Sequence, residues 1–156
     1  MATLPTILLA EDNEDDLLLM RRAIQKARLL NPVQVVRDGE QALDYLSGRG
    51  RFANRDRHPI PFLLLLDLHM PKQSGFDVLR WIRGQPELQR MKVAVLTSSS
   101  SERDYAKAME LGAHSYFAKP GSLDEFVHLM LRLHGYWVLV DDCEMLGSHS
   151  SEFVHA

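Results

Sequence analysis

The chain holds one cysteine, Cys143, in 156 residues. A single thiol cannot close an internal bridge, which excludes a disulfide-built fold and fits a reducing compartment. No apolar run reaches membrane-spanning length, and no basic N-terminal flank leads into a long apolar stretch, so neither a spanning helix nor a secretory leader is expected. Charge of one sign is also missing. The formal net charge of −3 gives no electrostatic footprint for nucleic acid. The seven histidines show no metal-ligand spacing such as H-E-x-x-H. There is no internal repeat, and the serines at 98–101 are the one low-complexity tract. What remains is one domain's worth of chain, long enough to bury roughly two-thirds of its unfolded surface. A soluble, cytoplasmic protein is expected.

Apolar runs and helical patterns alternate along it. Residues 6–10 read as a buried strand. Asn13 then offers an N-cap, with Glu14, Asp15 and Asp16 in the first turn, where negative charge suits the helix dipole. Leu17, Met20, Ile24 and Ala27 follow at helical spacing. Residues 33–37 form a second strand, and Asp38-Gly39 leads into a helix carrying Ala42, Leu43 and Leu46. Residues 62–66 are wholly apolar, as a central parallel strand covered on both faces would be. Helix 75–83, strand 93–96, helix 101–111 ended by Gly112, strand 115–118 and helix 122–134 complete the pattern. Five strands alternating with five helices predict a three-layer α/β domain with a parallel sheet. Ligands of such sheets bind beyond the carboxyl ends of the strands.

Those ends carry chemistry. Glu11 and Asp12 follow the first strand, Asp67 the third, Thr97 closes the fourth, and Lys119 follows the fifth. Clustered carboxylates repel one another and need a cation, and oxygen-only ligands suit a hard ion such as Mg²⁺. A carboxylate can act as a nucleophile toward phosphorus, while a hydroxyl and an ammonium hold phosphoryl oxygens. Each residue has a plainer reading. Glu11 and Asp12 could serve the helix N-terminus, Asp67 could be a turn residue, Thr97 an N-cap (Ser101 is better placed), and Tyr116 simply core. The plain account needs several coincidences at one rim.

This set, with Met70-Pro71 and Gly75 behind Asp67, Thr97-Ser98 and Lys119-Pro120, resembles the receiver domain of two-component response regulators over about residues 6–134. The resemblance implies a (βα)5 flavodoxin-like fold with strand order 2-1-3-4-5. It implies Asp67 as acceptor of a phosphoryl group from a sensor histidine kinase. Glu11 (through water), Asp12, Asp67 and the backbone carbonyl of His69 would hold Mg²⁺, with Mn²⁺ as a substitute. Lys119 and Thr97 would contact the phosphoryl group, Thr97 and Tyr116 would form the switch pair, and His69 with Ser99 would tune the phosphate's lifetime. His69 is a departure, since the regulators paired with bacterial phytochromes more often carry Asn there. Those regulators are nevertheless resembled through Glu11-Asp12-Asn13, residues 38–42, the long loop before Pro61, residues 111–113 and Tyr136-Trp137, which implies a phytochrome-type kinase.

Two rivals fare worse. A haloacid-dehalogenase-type hydrolase carries a second Asp where His69 stands, and a flavodoxin-like FMN carrier would set a phosphate against Glu11 and Asp12. Residues 1–136 are expected to form the receiver domain and 137–156 an extension too short for an output domain. Output would come by docking. The last helix is apolar on more than one face. A homodimer through the fourth and fifth helices and last strand is therefore expected, with Phe126, Met130, Leu133 and Trp137 at its interface. The tail could instead fold back on its own domain. The loop at 48–58 carries Arg49, Arg51, Arg55 and Arg57, read either as solvated or as a contact for an acidic kinase surface.

Overall fold

In the structure, a computed structural model that describes residues 4–133, strands and α-helices alternate, with short 3-10 turns at Gly50–Phe52 and Pro86–Leu88. They run β1 (Ile7–Ala10), α1 (Glu14–Lys26), β2 (Val33–Val36), α2 (Gly39–Ser47), β3 (Leu63–Leu66), α3 (Gly75–Arg83), β4 (Lys92–Thr97), α4 (Glu102–Glu110), β5 (Ser115–Ala118) and α5 (Leu123–Arg132). The sheet is parallel throughout, in the order β2-β1-β3-β4-β5. Both the fold class and the strand order match the expectation.

Successive strand residues point to opposite faces, and the chain uses both. Leu8, Ala10, Leu64, Leu66, Val93 and Val95 face one core, which α2, α3 and α4 cover through Ala42, Tyr45, Val78, Leu79 and Ala108. Ile7, Leu9, Leu63, Leu65, Ala94 and Leu96 face the other, covered by Leu17, Met20 and Ile24 of α1 and by Phe126, Leu129 and Met130 of α5. This two-sided burial explains why β3 has no polar member.

The helix starts are capped as their residues dictate. Asn13, Asp38, Ser74, Ser101 and Ser122 each accept a backbone N–H from the first turn of their helix, and Ser74 with Asp77 completes a capping box. At the end of α4, Gly112 has φ +104°, its N–H donates to the Met109 carbonyl and that of Ala113 to the Ala108 carbonyl. This is the paired closure that favours glycine after a helix.

Two expectations change. Phe126, Met130 and Leu133, expected at a dimer interface, are fully enclosed in the core beneath the sheet. They cannot face a second copy without opening that core. Trp137 and the extension 137–156 lie outside the described residues. Arg55 is likewise not a free surface cation. It donates to the carbonyls of Tyr45, Leu46 and His58, closing the end of α2, where helix carbonyls lack partners. His58 packs edge-on against Phe52 within the same loop and against Tyr45, while Phe52 meets Tyr45 at a tilt.

Candidate functional site

The side chains expected to form the site arrive at one rim because the sheet ladder continues one residue past several strands. Glu11 N–H donates to the Val36 carbonyl (3.0 Å), Asp67 N–H to that of Ala10 (3.1 Å), and Lys119 N–H to that of Thr97 (2.8 Å). Each residue is thereby fixed in the sheet's frame before its side chain makes any contact. Gly75 sets the depth of the loop after Asp67. A Cβ there would lie 2.5 Å from the Asp67 carbonyl oxygen and 2.7 Å from Leu68 Cα, so only glycine lets α3 start this close to the strand end.

Lys119 stands at the centre. Its Nζ lies 2.7 Å from Glu11 Oε1, 2.9 Å from Asp16 Oδ2 and 3.0 Å from Asp67 Oδ2. One ammonium thus serves three carboxylates, and the most buried of them carries the surplus. Burial pushes the Glu11 carboxyl up to about 7, against the pull of Lys119 and of the Asn13 N–H, and the charge of Asp67 adds to the rise. Burial acts the other way on Lys119, but Glu11, Asp16 and Asp67 outweigh it and hold the ammonium above its ordinary range.

Glu11, Asp12 and Asp67 each place a carboxylate oxygen within 4.8 Å of the others. Glu11 Oε1 is buried, and the close contact it has is the Lys119 ammonium, which it shares with Asp16 and Asp67. A surplus of negative charge and an all-oxygen donor set fit a hard divalent cation. The cation would take up the charge that Lys119 leaves unbalanced.

The opposite side of the rim carries the remaining expected residues. Thr97 is buried at the end of β4, and its Oγ1 accepts the Ser99 N–H at 3.2 Å. His69 N–H donates to Asp67 Oδ1 at 3.2 Å, while its ring turns toward α4 and Asp104. Tyr116 packs edge-on against Tyr105 with centroids 5.2 Å apart, and its buried hydroxyl has no hydrogen-bond partner. Burial raises that phenol's pKa above its ordinary value, against the effect of Ser99.

Sequence reasoning missed two residues here. Asp16 had been assigned to the helix dipole, yet it grips Lys119. The signal was its place at the third helical position after Asn13, on the turn that faces the rim. Asp104 gave no signal beyond an acid in a first turn, since its partners come from loops distant in sequence.

A doubly wound parallel sheet with an acidic rim around one lysine defines a class of phosphoryl-handling α/β domains. Residues 7–131 match the response regulator receiver domain, and the chain belongs to that family. It is 33% identical over 132 residues to response regulator Rcp1 of Synechocystis sp., covering 85% of this chain and 88% of that one. A Mn²⁺-bound structure of Rcp1 superposes with a TM-score of 0.75 at 31% identity, covering 85% and 93% of the two chains. The phosphorylated cyanobacterial phytochrome response regulator RcpA superposes with a TM-score of 0.78 at 33% identity, covering 86% and 94%. Response regulator RPA3017, from red light signaling of R. palustris, gives 0.80 at 36% identity and the same coverages.

Proposed function

We propose that this receiver domain accepts a phosphoryl group on Asp67 from a phosphohistidine of a sensor histidine kinase and signals by docking rather than by metabolic turnover. The single observation that carries this is the Lys119 ammonium, held 3.0 Å from Asp67 and 2.7 Å from Glu11 at the rim of the sheet. An Asp67 carboxylate oxygen attacks phosphorus, the new O–P bond forms, the donor's P–N bond breaks, and the departing imidazole takes up a proton. Lys119 and the Thr97 hydroxyl hold phosphoryl oxygens. Glu11, Asp12, Asp67 and the His69 carbonyl would hold Mg²⁺ or Mn²⁺, which when bound neutralises charge developing on the transferred group. Thr97 and Tyr116 then form the switch pair, and His69 and Ser99 set how long the phosphate survives.

The kinase is proposed to be of the phytochrome type. RcpA carries that description, RPA3017 belongs to red light signaling, and the sequence resembles such regulators. The setting is proposed to be cytoplasmic. Among the described residues no helix is long and apolar enough to cross a membrane. A homodimer through α4, β5 and α5 is retained with a changed surface, since Tyr105 and Leu131 are the exposed large apolar side chains there. The test is phosphotransfer from an autophosphorylated bacterial phytochrome kinase. Label is expected to move to the wild type and not to Asp67→Asn. Label that reaches Asp67→Asn equally well excludes Asp67 as acceptor. Label that stays on the kinase while acetyl phosphate still modifies Asp67 excludes this kinase class.

A further inference from the structure

Asp104 lies in the first turn of α4, outside the cluster around Lys119. One of its oxygens has two partners. Oδ2 accepts the Ser99 hydroxyl at 2.7 Å and stands 3.2 Å from His69 Nε2. Each partner is tied through its backbone to the rim. His69 N–H sits on Asp67 Oδ1, and Ser99 N–H sits on Thr97 Oγ1. A single carboxylate oxygen therefore joins the loop after β3, the loop after β4, and α4. The Ser99 hydrogen bond, and His69 after it, hold the Asp104 carboxyl below its ordinary range although burial opposes them, so it is ionised at neutral pH.

Apart from this bond, α4 is held by Ala108, by Met109 packed partly buried against the core, by Lys107 over the Phe76 ring and by Arg83 on the Glu110 carbonyl. Ala108 is its one buried residue, where α1 buries Leu17, Met20, Ala23 and Ile24. An element with few fully buried residues opens more easily, and a bond at its first turn adds to its attachment. Tyr105, the next residue, is half-exposed and rests on Tyr116. Movement at Asp104 is passed to that pair directly.

We infer that Asp104 is a positioning residue that clasps α4 to the acceptor rim through His69 and Ser99, and that phosphorylation of Asp67 opens this clasp. The second half rests on the reading of Asp67 as phosphoacceptor. Conversion of the Asp67 carboxylate to an acyl phosphate shifts negative charge from the carboxyl to the phosphoryl oxygens and weakens its hold on the His69 N–H. A Thr97 hydroxyl drawn to the phosphoryl group gives up the Ser99 N–H. Both partners of Asp104 loosen together, which makes the clasp a two-state element biased by the acceptor.

A plainer role for Asp104 is an acid serving the dipole of α4. Glu102 occupies the same first turn without the clasp, so Glu102→Gln is the control. Amide hydrogen exchange on the full chain is the measurement. Asp104→Ala is expected to speed exchange across residues 99–106 by on the order of tenfold, the effect of losing a charge-assisted hydrogen bond. Amides of β1 and β3 are expected to keep their wild-type rates, and Glu102→Gln to leave residues 99–106 unchanged. Asp104→Asn, closer in shape, gives a smaller change in the same region and guards against misfolding. In a His69→Ala/Ser99→Ala background, Asp104→Ala is expected to add nothing. Wild type with Mg²⁺ and beryllofluoride is expected to loosen the same residues.

Exchange in Asp104→Ala no faster than in Glu102→Gln, or a full additional effect in the double background, overturns the clasp. An α4 that stays protected under beryllofluoride, in protein that acetyl phosphate modifies at Asp67, overturns its opening. Wild type that acetyl phosphate does not modify at all refutes the acceptor reading and the opening with it, while exchange in the unphosphorylated variants still decides the clasp.

Discussion

Lys119 contacts three acids, and only two of them were legible as site residues. Glu11 and Asp67 follow strands, where the topology of an open parallel sheet directs attention. Asp16 lies inside α1, and its first-turn position already had a sufficient explanation in the helix dipole. Its contact with Lys119 depends on how α1 leans over the sheet, which spacing alone does not encode. Asp16→Asn is expected to slow phosphoryl uptake at Asp67 by about tenfold, the scale of one hydrogen bond to a charged group. Time-resolved intact mass with acetyl phosphate and Mg²⁺ checks this, and the variant should fall between wild type and Lys119→Ala. Gly75 was legible as part of a motif, but its reason is geometric. Gly75→Ala must displace either the Asp67 carbonyl or α3. It is expected to lower stability by about 1–3 kcal/mol, as overpacking does, and to impair uptake as well. Urea unfolding and the same mass assay measure both.

At the scale of elements, all ten strands and helices were readable, because β-branched or leucine-rich runs alternate with amphipathic stretches and each helix has a capping side chain. The differences lie at the ends. β4 runs from Lys92 to Thr97, one residue beyond the apolar run on each side, because the ladder does not require an apolar side chain at its ends. The arginine-rich loop was read as one patch and is two things. Arg55 closes α2, while Arg51 lies over the Phe52 ring and Arg49 pairs with Asp44. Arg55→Ser is expected to destabilise by about 1–3 kcal/mol, since partly buried carbonyls of Tyr45, Leu46 and His58 lose a charged donor. Arg51→Ser is expected to leave unfolding unchanged, and any kinase contact should follow Arg49, Arg51 and Arg57 alone.

His114 gives an element-level pH effect. Its Nδ1 accepts the Val93 N–H at 3.0 Å, which requires the unprotonated nitrogen. Burial of that edge, and after it the nearby Lys92, lowers its pKa from 6.5, although the ring remains largely surface-exposed. Below pH 6.5 the unfolded chain then binds more protons than the folded one, so stability is full above pH 6.5 and falls as pH drops through the lowered folded value. The difference in unfolding free energy between wild type and His114→Gln, followed from pH 7.5 to about 5.5, should show this slope, because the opposite contribution of the raised Glu11 carboxyl cancels in the comparison.

For the whole molecule, right-handed crossovers leave few topologies for five βα units, and the observed order, which the receiver resemblance implies, brings the ends of β1 and β3 side by side. The rim is thus a consequence of topology, and the residues placed there were readable once the fold was. The assembly was not readable in the same way. A helix apolar on several faces looks like an interface, but α5 spends those faces on the sheet and on α1, and residues such as Phe126 and Met130 disappear into the core. A dimer through α4, β5 and α5 must use Tyr105 and its neighbours. Tyr105→Glu is then expected to convert a sedimenting dimer to a monomer, and a wild type that is monomeric at micromolar concentration, with and without beryllofluoride, excludes this assembly.

Acceptor chemistry at Asp67 is tested most directly by intact mass after incubation with acetyl phosphate and Mg²⁺. Wild type is expected to gain the mass of one phosphate, to lose that gain when the metal is chelated beforehand, and Asp67→Asn is expected to gain nothing. A one-phosphate gain that persists in Asp67→Asn would contradict the assignment of Asp67 as acceptor.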